Sequence, residues 1–246
     1  MIVMKLGGSV LTHLHPSFFV QCAALYEQGI PFVIVHGGGP FVSDWAQKTG
    51  KSTTFVNGYR VTDDDTLSLV EMVLAGKVNK HMVSKLISAD LPAIGLSGID
   101  LQLVQAKQRD PLLGYTGEVT AVNIPALQNL LQQGWIPVIA SLGIGTDGTH
   151  YNINADEMAS AIAQAINASH FILVSDVDGI YTGSGSQKRI LREATPDLIE
   201  HYIQTGEISG GMIPKARSGI EALHQAVKEV WIVNGTAPLA LSTNSV

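Results

Sequence analysis

The sequence has a single cysteine, Cys22, among its 246 residues. It can therefore form no internal disulfide and no cysteine-rich metal cluster, which is typical of proteins from a reducing compartment. Charged residues make up only 15%, and the formal net charge of −6 provides no basic surface for nucleic acid. No apolar run approaches the roughly 18 residues of a membrane span, and no signal-peptide core follows Met1. These absences predict a cytoplasmic protein that binds neither nucleic acid nor a membrane.

What the sequence does contain is 46% apolar residues and 25 glycines spread along the chain. Short apolar runs alternate with longer helical patterns, which predicts an α/β fold with a parallel or mixed sheet covered by helices on both faces. The predicted core strands are residues 2–6, 32–35, 93–96, 136–140, 171–174 and 230–233. The predicted helices are residues 16–28, 41–49, 64–75, 80–89, 125–133, 155–168, 196–205 and 213–227. Residues 101–122 and 142–152 alternate polar and apolar positions around turn residues, which predicts added β-hairpins that form walls of a cleft.

Two glycine-rich segments directly follow predicted strands. Residues 5–9 read Lys-Leu-Gly-Gly-Ser, and residues 36–40 read His-Gly-Gly-Gly-Pro. Glycine lets a ligand approach the backbone closely, and backbone amides at the start of a helix bind anions. Each segment alone is more simply explained as an ordinary turn. Two such turns after neighbouring strands favour a binding site, because ligands of this architecture usually bind at the carboxyl ends of the strands.

Polar side chains also lie where two helices are predicted to begin. Asn152, Asn154 and Asp156 lead into one helix, and Lys215 follows two glycines at the start of another. As purely local features, Asn154 would be a helix N-cap and Asp156 an acid favoured by the helix dipole. Lys5 and Lys215, with the glycine amides, suit phosphoryl transfer, which needs mainly positioning and stabilisation of charge. A carboxylate acceptor would need no general base, because it is already ionised at neutral pH.

No metal-binding site is predicted. Asp176 to Gly179 resemble the start of a calcium loop, but the position of the closing glutamate is Gln187. The eight histidines form no HExxH pair. Residues 50–52 resemble the end of a P-loop, but the glycine that the motif requires further upstream is Trp45.

Taken in order, segments 5–9, 36–39, 152–156 and 210–215 resemble the amino acid kinase family, and the resemblance covers nearly the whole chain. Within that family, residues 57–63 (Asn-Gly-Tyr-Arg-Val-Thr-Asp) and 73–80 are similar to the branch that acts on N-acetyl-L-glutamate. The resemblance implies an open three-layer αβα sandwich with a mainly parallel central sheet and added β-hairpins. It also implies an N-terminal lobe (1–169) that binds the acylated amino acid and a C-terminal lobe (170–246) that binds ATP, both on one continuous sheet.

The activity implied by the resemblance is transfer of the γ-phosphoryl group of ATP to the γ-carboxylate of N-acetyl-L-glutamate, in arginine biosynthesis, with Mg²⁺ entering bound to ATP. Lys5 and Lys215 would neutralise charge on the transferring group, and Asp156 would hold both lysines, so these three are the implied catalytic residues. The implied substrate-binding residues are Gly38, Gly39, Arg60, Asn152 and Asn154. The implied nucleotide-binding residues are Gly7, Gly8, Gly37, Asp176, Val177, Asp178, Gly179, Ile180, Tyr181, Ile208, Ser209 and Gly210.

Two other functions stay open at the level of sequence. Kinases that act on a carrier-bound aminoadipate share much of segment 57–63, and a catalytically weak, ligand-binding regulator could keep the same fold. Two departures from the family bear on these alternatives. Leu101 follows Asp100 where the family usually has glycine, which would cost roughly 1 to 2 kcal/mol if the turn requires a left-handed residue. The chain also ends at residues 241–246 without the usual Gly-Thr pair, so the nucleotide lobe is expected to lack an edge strand.

The predicted assembly is a homodimer. Arginine-inhibited members of the family carry an additional N-terminal helix that links dimers into a hexameric ring, whereas this chain begins at its first predicted strand. We therefore expect arginine to leave the rate unchanged. The apolar stretch 67–83 is a candidate dimer surface, and its alternative interpretation is internal core.

Overall fold

The structure is a computed structural model that describes residues 1–183, 189–210, 212–224 and 227–239. The strands are β1 (Ile2–Leu6), β2 (Phe32–His36), β3 (Phe55–Val56), β4 (Tyr59–Arg60), β5 (Ala93–Ser97), β6 (Val104–Gln108), β7 (Thr116–Val122), β8 (Ile136–Ala140), β9 (Leu142–Ile144), β10 (His150–Ile153), β11 (His170–Ser175), β12 (Ile180–Thr182), β13 (Arg189–Leu191) and β14 (Glu229–Asn234). The helices are α1 (Pro16–Glu27), α2 (Gly39–Lys48), α3 (Asp64–Glu71), α4 (Asn79–Ile87), α5 (Ile124–Gln132), α6 (Ala155–Ala165), α7 (Pro196–Gln204) and α8 (Met212–His224).

Six parallel strands form the central sheet, in the order β14-β11-β1-β2-β8-β5. Each was predicted from its apolar run, and strands buried on both faces are expected to be continuously apolar. In the middle of the sheet, Leu6 of β1 lies beside His36 of β2 and Val174 of β11. These three strands therefore end at the same level, and the segments that follow them meet at one edge of the sheet.

Helices cover both faces of this sheet and complete three layers. Ile2, Met4 and Leu6 point to one face, where α1 to α4 pack. Val3 points to the opposite face, where α5, α6 and α8 pack, as expected from the two-residue alternation of a strand. The predicted fold class is confirmed.

Both predicted antiparallel hairpins form, but their strands pair with each other and not with the central sheet. β6 pairs with β7, and β9 pairs with β10, both antiparallel. β10 also pairs with β7, and β9 with β6, so the four strands close into a small barrel. The hairpins thus form one unit, and β9 begins directly after β8. At this junction the backbone N–H of Ser141 donates to the carbonyl of His36, the last residue of β2.

One prediction of helix boundaries is wrong. Residues 64–75 and 80–89 were expected to form two helices, but α3 and α4 are joined without a break by a π-helix, Met72–Val78. Val73, Leu74 and Val78 are buried against the sheet, so tertiary packing keeps the helix continuous through Gly76. The stretch 67–83 therefore has one face in the core and one face outside it, where Met72 is 65% exposed.

The turn at Leu101 does require a left-handed residue. Leu101 has φ 54° and ψ 18°, and Gln102 also has a positive φ. The strain expected of a leucine in that position is therefore present in the fold.

Among the described residues, no helix is long and apolar enough to cross a membrane. The division into lobes near residue 170 stays a prediction. The chain end that departs from the family, residues 241–246, lies outside the described residues.

Candidate active site

A cavity of about 200 Å³ opens at the carboxyl ends of β1 and β2. It brings together residues that are far apart in the sequence and that were predicted to bind ligand. The predicted residues that line it are Lys5, Gly8, Gly37, Gly38, Gly39, Arg60, Asn152, Asn154 and Asp156. The roles assigned to them remain predictions, but their meeting in one cavity is an observation.

The two glycine turns pack directly against each other. A Cβ atom on Gly8 would lie 2.8 Å from Cδ of Pro40 and 3.2 Å from Cα of Gly38, and one on Gly37 would lie 3.0 Å from Cβ of Ala155. Side chains at these positions would force the turns apart. Helix α2 begins here, and its N-cap, Gly38, makes no side-chain capping bond. The start of α2 is thus a site where backbone amides and the helix dipole favour an anion.

Lys5 supplies a positive charge beside these turns. It extends from β1, its side chain is 15% exposed, and its ammonium lies 2.8 Å from Oδ1 of Asp156. Asp156 stands in the first turn of α6, whose N-cap is Asn154. Oδ1 of Asn154 accepts hydrogen bonds from the backbone N–H groups of Asp156 and Glu157. The capping interpretation of Asn154 is therefore correct, and the residue lines the cavity as well.

Arg60 lies on the opposite wall and is only 6% exposed. Its Nη2 donates to the carbonyl of Gly39 and to Oγ of Ser43, and its guanidinium lies over the Phe55 ring at 4.6 Å. Nη1 is buried without a hydrogen-bond partner, and no carboxylate of the described residues forms an ion pair with Arg60. Burial lowers the pKa of Arg60, but arginine stays protonated in proteins. A buried cation with an unpaired edge suits a ligand carboxylate.

The backbone of Arg60 is held by two threonines that were not predicted as site residues, although Thr62 lies within segment 57–63. Its carbonyl accepts from Oγ1 of Thr62 at 2.9 Å and from Oγ1 of Thr116 at 2.5 Å. Nδ2 of Asn152 in turn donates to Oγ1 of Thr62 at 3.1 Å. The two residues predicted to bind the α-carboxylate, Arg60 and Asn152, are thus connected through one threonine.

A second group of predicted residues lies outside this cavity, around Lys215. Nζ of Lys215 lies 3.3 Å from Oδ1 of Asp176. Among the described residues, Asp156 pairs with Lys5 and not with Lys215. Each lysine thus has its own carboxylate, whereas Asp156 was expected to hold both. Partial burial alone would raise the pKa of Asp176. Its own backbone amide, Lys215 and the hydroxyl of Ser9 outweigh that effect, and the pKa lies below its usual value.

The predicted nucleotide segments are placed around the same region. Asp178 accepts hydrogen bonds from Nδ2 of Asn234 and from the hydroxyl of Tyr181, and both lower its pKa. Residues 178–181 line a larger, open cavity between α8, β14 and the hairpin β12–β13. Ile208 is buried in a small apolar cluster with Ala216, so its side chain belongs to the core. The amide of Gly7 is bonded to the carbonyl of Val174.

Three further residues at this first cavity, at the ends of β1 and β2, were missed. Tyr59 lines the cavity, and Glu157 and Arg109 contact Tyr59. Glu157 follows Asp156 directly, so its proximity could have been inferred from the helix start. Tyr59 and Arg109 meet only in the tertiary structure.

No group of three or more potential metal ligands occurs among residues 1–183, 189–210, 212–224 and 227–239. The two carboxylates nearest the lysines, Asp156 and Asp176, are already paired. This donor set fits a divalent cation that is held mainly by a nucleotide and not by a protein cage.

Comparison with known proteins identifies the family of the chain. The model of the amino acid kinase family matches residues 1–234. An acetylglutamate kinase of Geobacillus sp. (strain WCH70) is 47% identical over 238 residues, which cover 96% of this chain and 91% of that protein. An acetylglutamate kinase of Clostridioides difficile (strain 630) is 39% identical over 248 residues, covering 98% of this chain and 86% of that protein.

Solved structures show the same fold. The protein smu.665 of Streptococcus mutans UA159 superposes with a TM-score of 0.86 at 32% identity, covering 95% of this chain and 96% of that one. An N-acetylglutamate synthase of Neisseria gonorrhoeae superposes with a TM-score of 0.79 at 20% identity, covering 96% of this chain and 56% of that one, and shows a likeness of fold alone. Since the family model matches almost the entire sequence and close relatives match over nearly their full length, the chain belongs to the amino acid kinase family.

Proposed function

We propose that this enzyme transfers the γ-phosphoryl group of ATP to the γ-carboxylate of N-acetyl-L-glutamate and forms N-acetyl-L-glutamyl 5-phosphate, a step of arginine biosynthesis. The observation that carries the proposal is the buried guanidinium of Arg60, which has an unpaired edge and faces the same cavity as Lys5. Relatives that are 42 to 47% identical over nearly the whole chain are acetylglutamate kinases.

The acceptor would lie between the two positively charged walls of the cavity. Its α-carboxylate would bind Arg60 and Asn152, because a guanidinium can bind a carboxylate through two parallel hydrogen bonds. Its side-chain carboxylate would then point toward Lys5 and the glycine turns. Val42, Val70 and Leu74 supply apolar surface in the same cavity for the acyl group.

The reaction needs little covalent chemistry from the protein. The acceptor carboxylate is ionised at neutral pH and attacks the γ-phosphorus without a general base. Negative charge spreads over the transferring oxygens, and Lys5, Lys215 and the amides at the start of α2 would stabilise it. Mg²⁺ that enters with ATP would supply further neutralisation of that charge. Asp156 and Asp176 hold the two lysines in position.

The remaining assignments are part of the same proposal. Residues 176–181 and 208–210 would border the nucleotide, so that ATP occupies the lobe from residue 170 onward. The lobe of residues 1–169 would bind the acceptor. A cytoplasmic homodimer is the proposed form of the enzyme.

Trapping of the acyl phosphate with hydroxylamine tests the reaction. The protein, ATP, Mg²⁺ and N-acetyl-L-glutamate should yield a hydroxamate together with an equal amount of ADP. Free L-glutamate serves as the control acceptor. If a carrier-bound aminoadipate yields hydroxamate and N-acetyl-L-glutamate does not, the acceptor is wrong. If no carboxylate acceptor yields one, the protein is a binding protein and not a kinase.

A further inference from the structure

The short hairpin β3–β4 carries Arg60 but is not part of any larger sheet. It has two residues in each strand, joined by Asn57 and Gly58, both with positive φ. Phe55 and Val56 are 53% and 45% exposed. An isolated hairpin is at best marginally stable in water, so its position over the cavity depends on contacts outside the hairpin. These are the bonds to the Arg60 carbonyl, the backbone bonds of Thr62 to Leu113 and Tyr115, and the side-chain contacts of Tyr59 and Arg60.

Neighbouring residues of β4 attach the hairpin to opposite walls of the cavity, as the alternation of a strand requires. Arg60 bonds to Gly39 and Ser43, at the start of α2. Tyr59 donates its hydroxyl hydrogen bond to Oε1 of Glu157, in the first turn of α6. The hairpin therefore spans the cavity between two helix N-termini.

Glu157 is engaged through both of its carboxylate oxygens. Oε2 accepts from Nη2 of Arg109 at 2.5 Å, and the guanidinium of Arg109 lies 4.4 Å from the centre of the Tyr59 ring. Glu118 lies within 4.0 Å of Arg109 and also pairs with Lys107. Burial and Glu157 raise the pKa of Tyr59 to about 12, so its hydroxyl stays a donor at every physiological pH.

We propose that Tyr59, held by Glu157 and Arg109, is a positioning residue that sets the place of the Arg60 guanidinium and thereby the affinity and length selection for the acceptor. Glu157 directly follows Asp156, the partner of Lys5. One turn of α6 therefore holds both Lys5 and, through Tyr59, the strand that carries Arg60. That turn sets the distance between the group that would bind the α-carboxylate and the lysine at the phosphoryl group. The inference rests on the proposed function for the identity of the acceptor.

The variant Tyr59→Phe removes only the hydroxyl and keeps the ring over Arg109. We expect the KM for N-acetyl-L-glutamate to rise roughly tenfold, as for the loss of one hydrogen bond to a charged group, with kcat and the KM for ATP within about twofold. The discrimination against N-acetyl-L-aminoadipate should weaken. Tyr26→Phe, on the remote helix α1, is the matched control and should change none of these values.

A double-mutant cycle identifies the partner. If Tyr59 acts through Glu157, the double variant Tyr59→Phe/Glu157→Gln should raise the KM about as much as the larger single change and not by the product of the two. An unchanged KM in Tyr59→Phe, or independent effects in the cycle, would overturn the proposal. A fall in kcat together with a similar rise in both KM values and a lowered Tm would also overturn the proposal. Such a result would indicate that Tyr59 has a merely structural role.

Calorimetric titration with N-acetyl-L-glutamate separates this inference from the proposed function, because binding needs no turnover. Weaker binding by Tyr59→Phe than by the wild type supports the positioning role even if no hydroxamate forms. Equal binding by the two proteins refutes it even if the wild type is an active kinase.

Discussion

At the scale of single residues, the two lysines predicted to act on the phosphoryl group have separate partners. Lys5 is held by Asp156 at 2.8 Å inside the cavity at the ends of β1 and β2, and Lys215 by Asp176 at 3.3 Å outside it. A ligand bridging the two groups would meet both positive charges. The residues are thus arranged as two half-sites, one around each lysine.

The variant Lys215→Ala should lower kcat by roughly 10² or more and change both KM values little, because a lysine at the transferring group acts mainly in the transition state. Arg60→Ala should show the opposite pattern and chiefly raise the KM for the acceptor. Steady-state kinetics of both variants test this pair of expectations. Lys48→Ala, at an exposed lysine of α2 that contacts Asp44 and Trp45, is the control. If Lys215→Ala chiefly raised the acceptor KM and Arg60→Ala chiefly lowered kcat, the acceptor and nucleotide sides would be assigned the wrong way round.

Leu101→Gly should stabilise the protein. Leu101 adopts φ 54° and is 60% exposed, so glycine would relieve roughly 1 to 2 kcal/mol of strain at little loss of burial. The greater flexibility of glycine in the unfolded chain offsets about 0.4 to 1 kcal/mol of that gain. Urea unfolding should therefore show a small increase in the free energy of unfolding. Leu112→Gly, at an exposed leucine without positive φ, should instead be destabilising. A loss of stability in both variants would show that Leu101 is not strained by its backbone conformation.

At the scale of elements, the first turn of α6 serves several parts of the site at once. Asn154 caps the helix, Asp156 pairs with Lys5, and Glu157 receives Tyr59 and Arg109. The cap also fixes the direction in which the turn faces the cavity. Loss of the Asn154 cap should therefore lower stability, whereas a change of charge at this helix start should alter ligand binding.

Substitutions of Asn154 can separate these effects. Asn154→Ala should lower the free energy of unfolding by about 1 kcal/mol through loss of the cap. Asn154→Asp should keep the stability, because aspartate caps as well as asparagine. It should nevertheless raise the KM for the acceptor by roughly tenfold or more, since it places a like charge beside an anionic ligand. Thermal unfolding and kinetics of the two variants test this. An Asp variant with unchanged KM would remove Asn154 from the acceptor site.

At the scale of the whole molecule, one buried polar contact joins the centre of the sheet to its covering helix. Nδ1 of His36 bonds to the carbonyl of Gly37, and its Nε2 lies 3.1 Å from Nδ2 of Asn79 in α4. Asn79 also bonds to the carbonyls of Leu96 and Val138. This contact connects β2, β5, β8 and α4 under the glycine turn. Burial lowers the pKa of His36 to about 4, so the imidazole is neutral in the folded protein.

The stability of the molecule should therefore fall in mild acid. The unfolded state binds a proton at His36 near pH 6.5, whereas the folded state does so only near pH 4. The contribution of His36 is fully present above pH 6.5 and is lost as the pH falls toward 4. Between pH 7 and 5 this amounts to roughly 2 kcal/mol. Urea unfolding of wild type and His36→Gln at both pH values tests it, since only the wild type has the imidazole that titrates. An NMR titration that showed His36 protonated at pH 6 in the folded protein would refute it.

Local patterns in the sequence were sufficient for the elements. Apolar runs identified every strand of the central sheet, and Asn152, Asn154 and Asp156 marked the predicted start of a helix. The glycine turns after β1 and β2 pointed to the edge where the cavity lies. These signals span a few residues each, because strand burial, helix capping and turn formation depend on near neighbours in the chain.

Only the tertiary structure decided which of these features meet. Tyr59 and Glu157 are 98 positions apart, and Lys215 is 39 positions from Asp176. The continuous helix through Gly76 is another such case, since burial of Val73, Leu74 and Val78 overrides a local break. Contacts of this kind depend on the path of the chain and on packing between layers. The residue types carry the chemistry of phosphoryl transfer, but the three-dimensional arrangement determines which carboxylate holds which lysine and what positions Arg60.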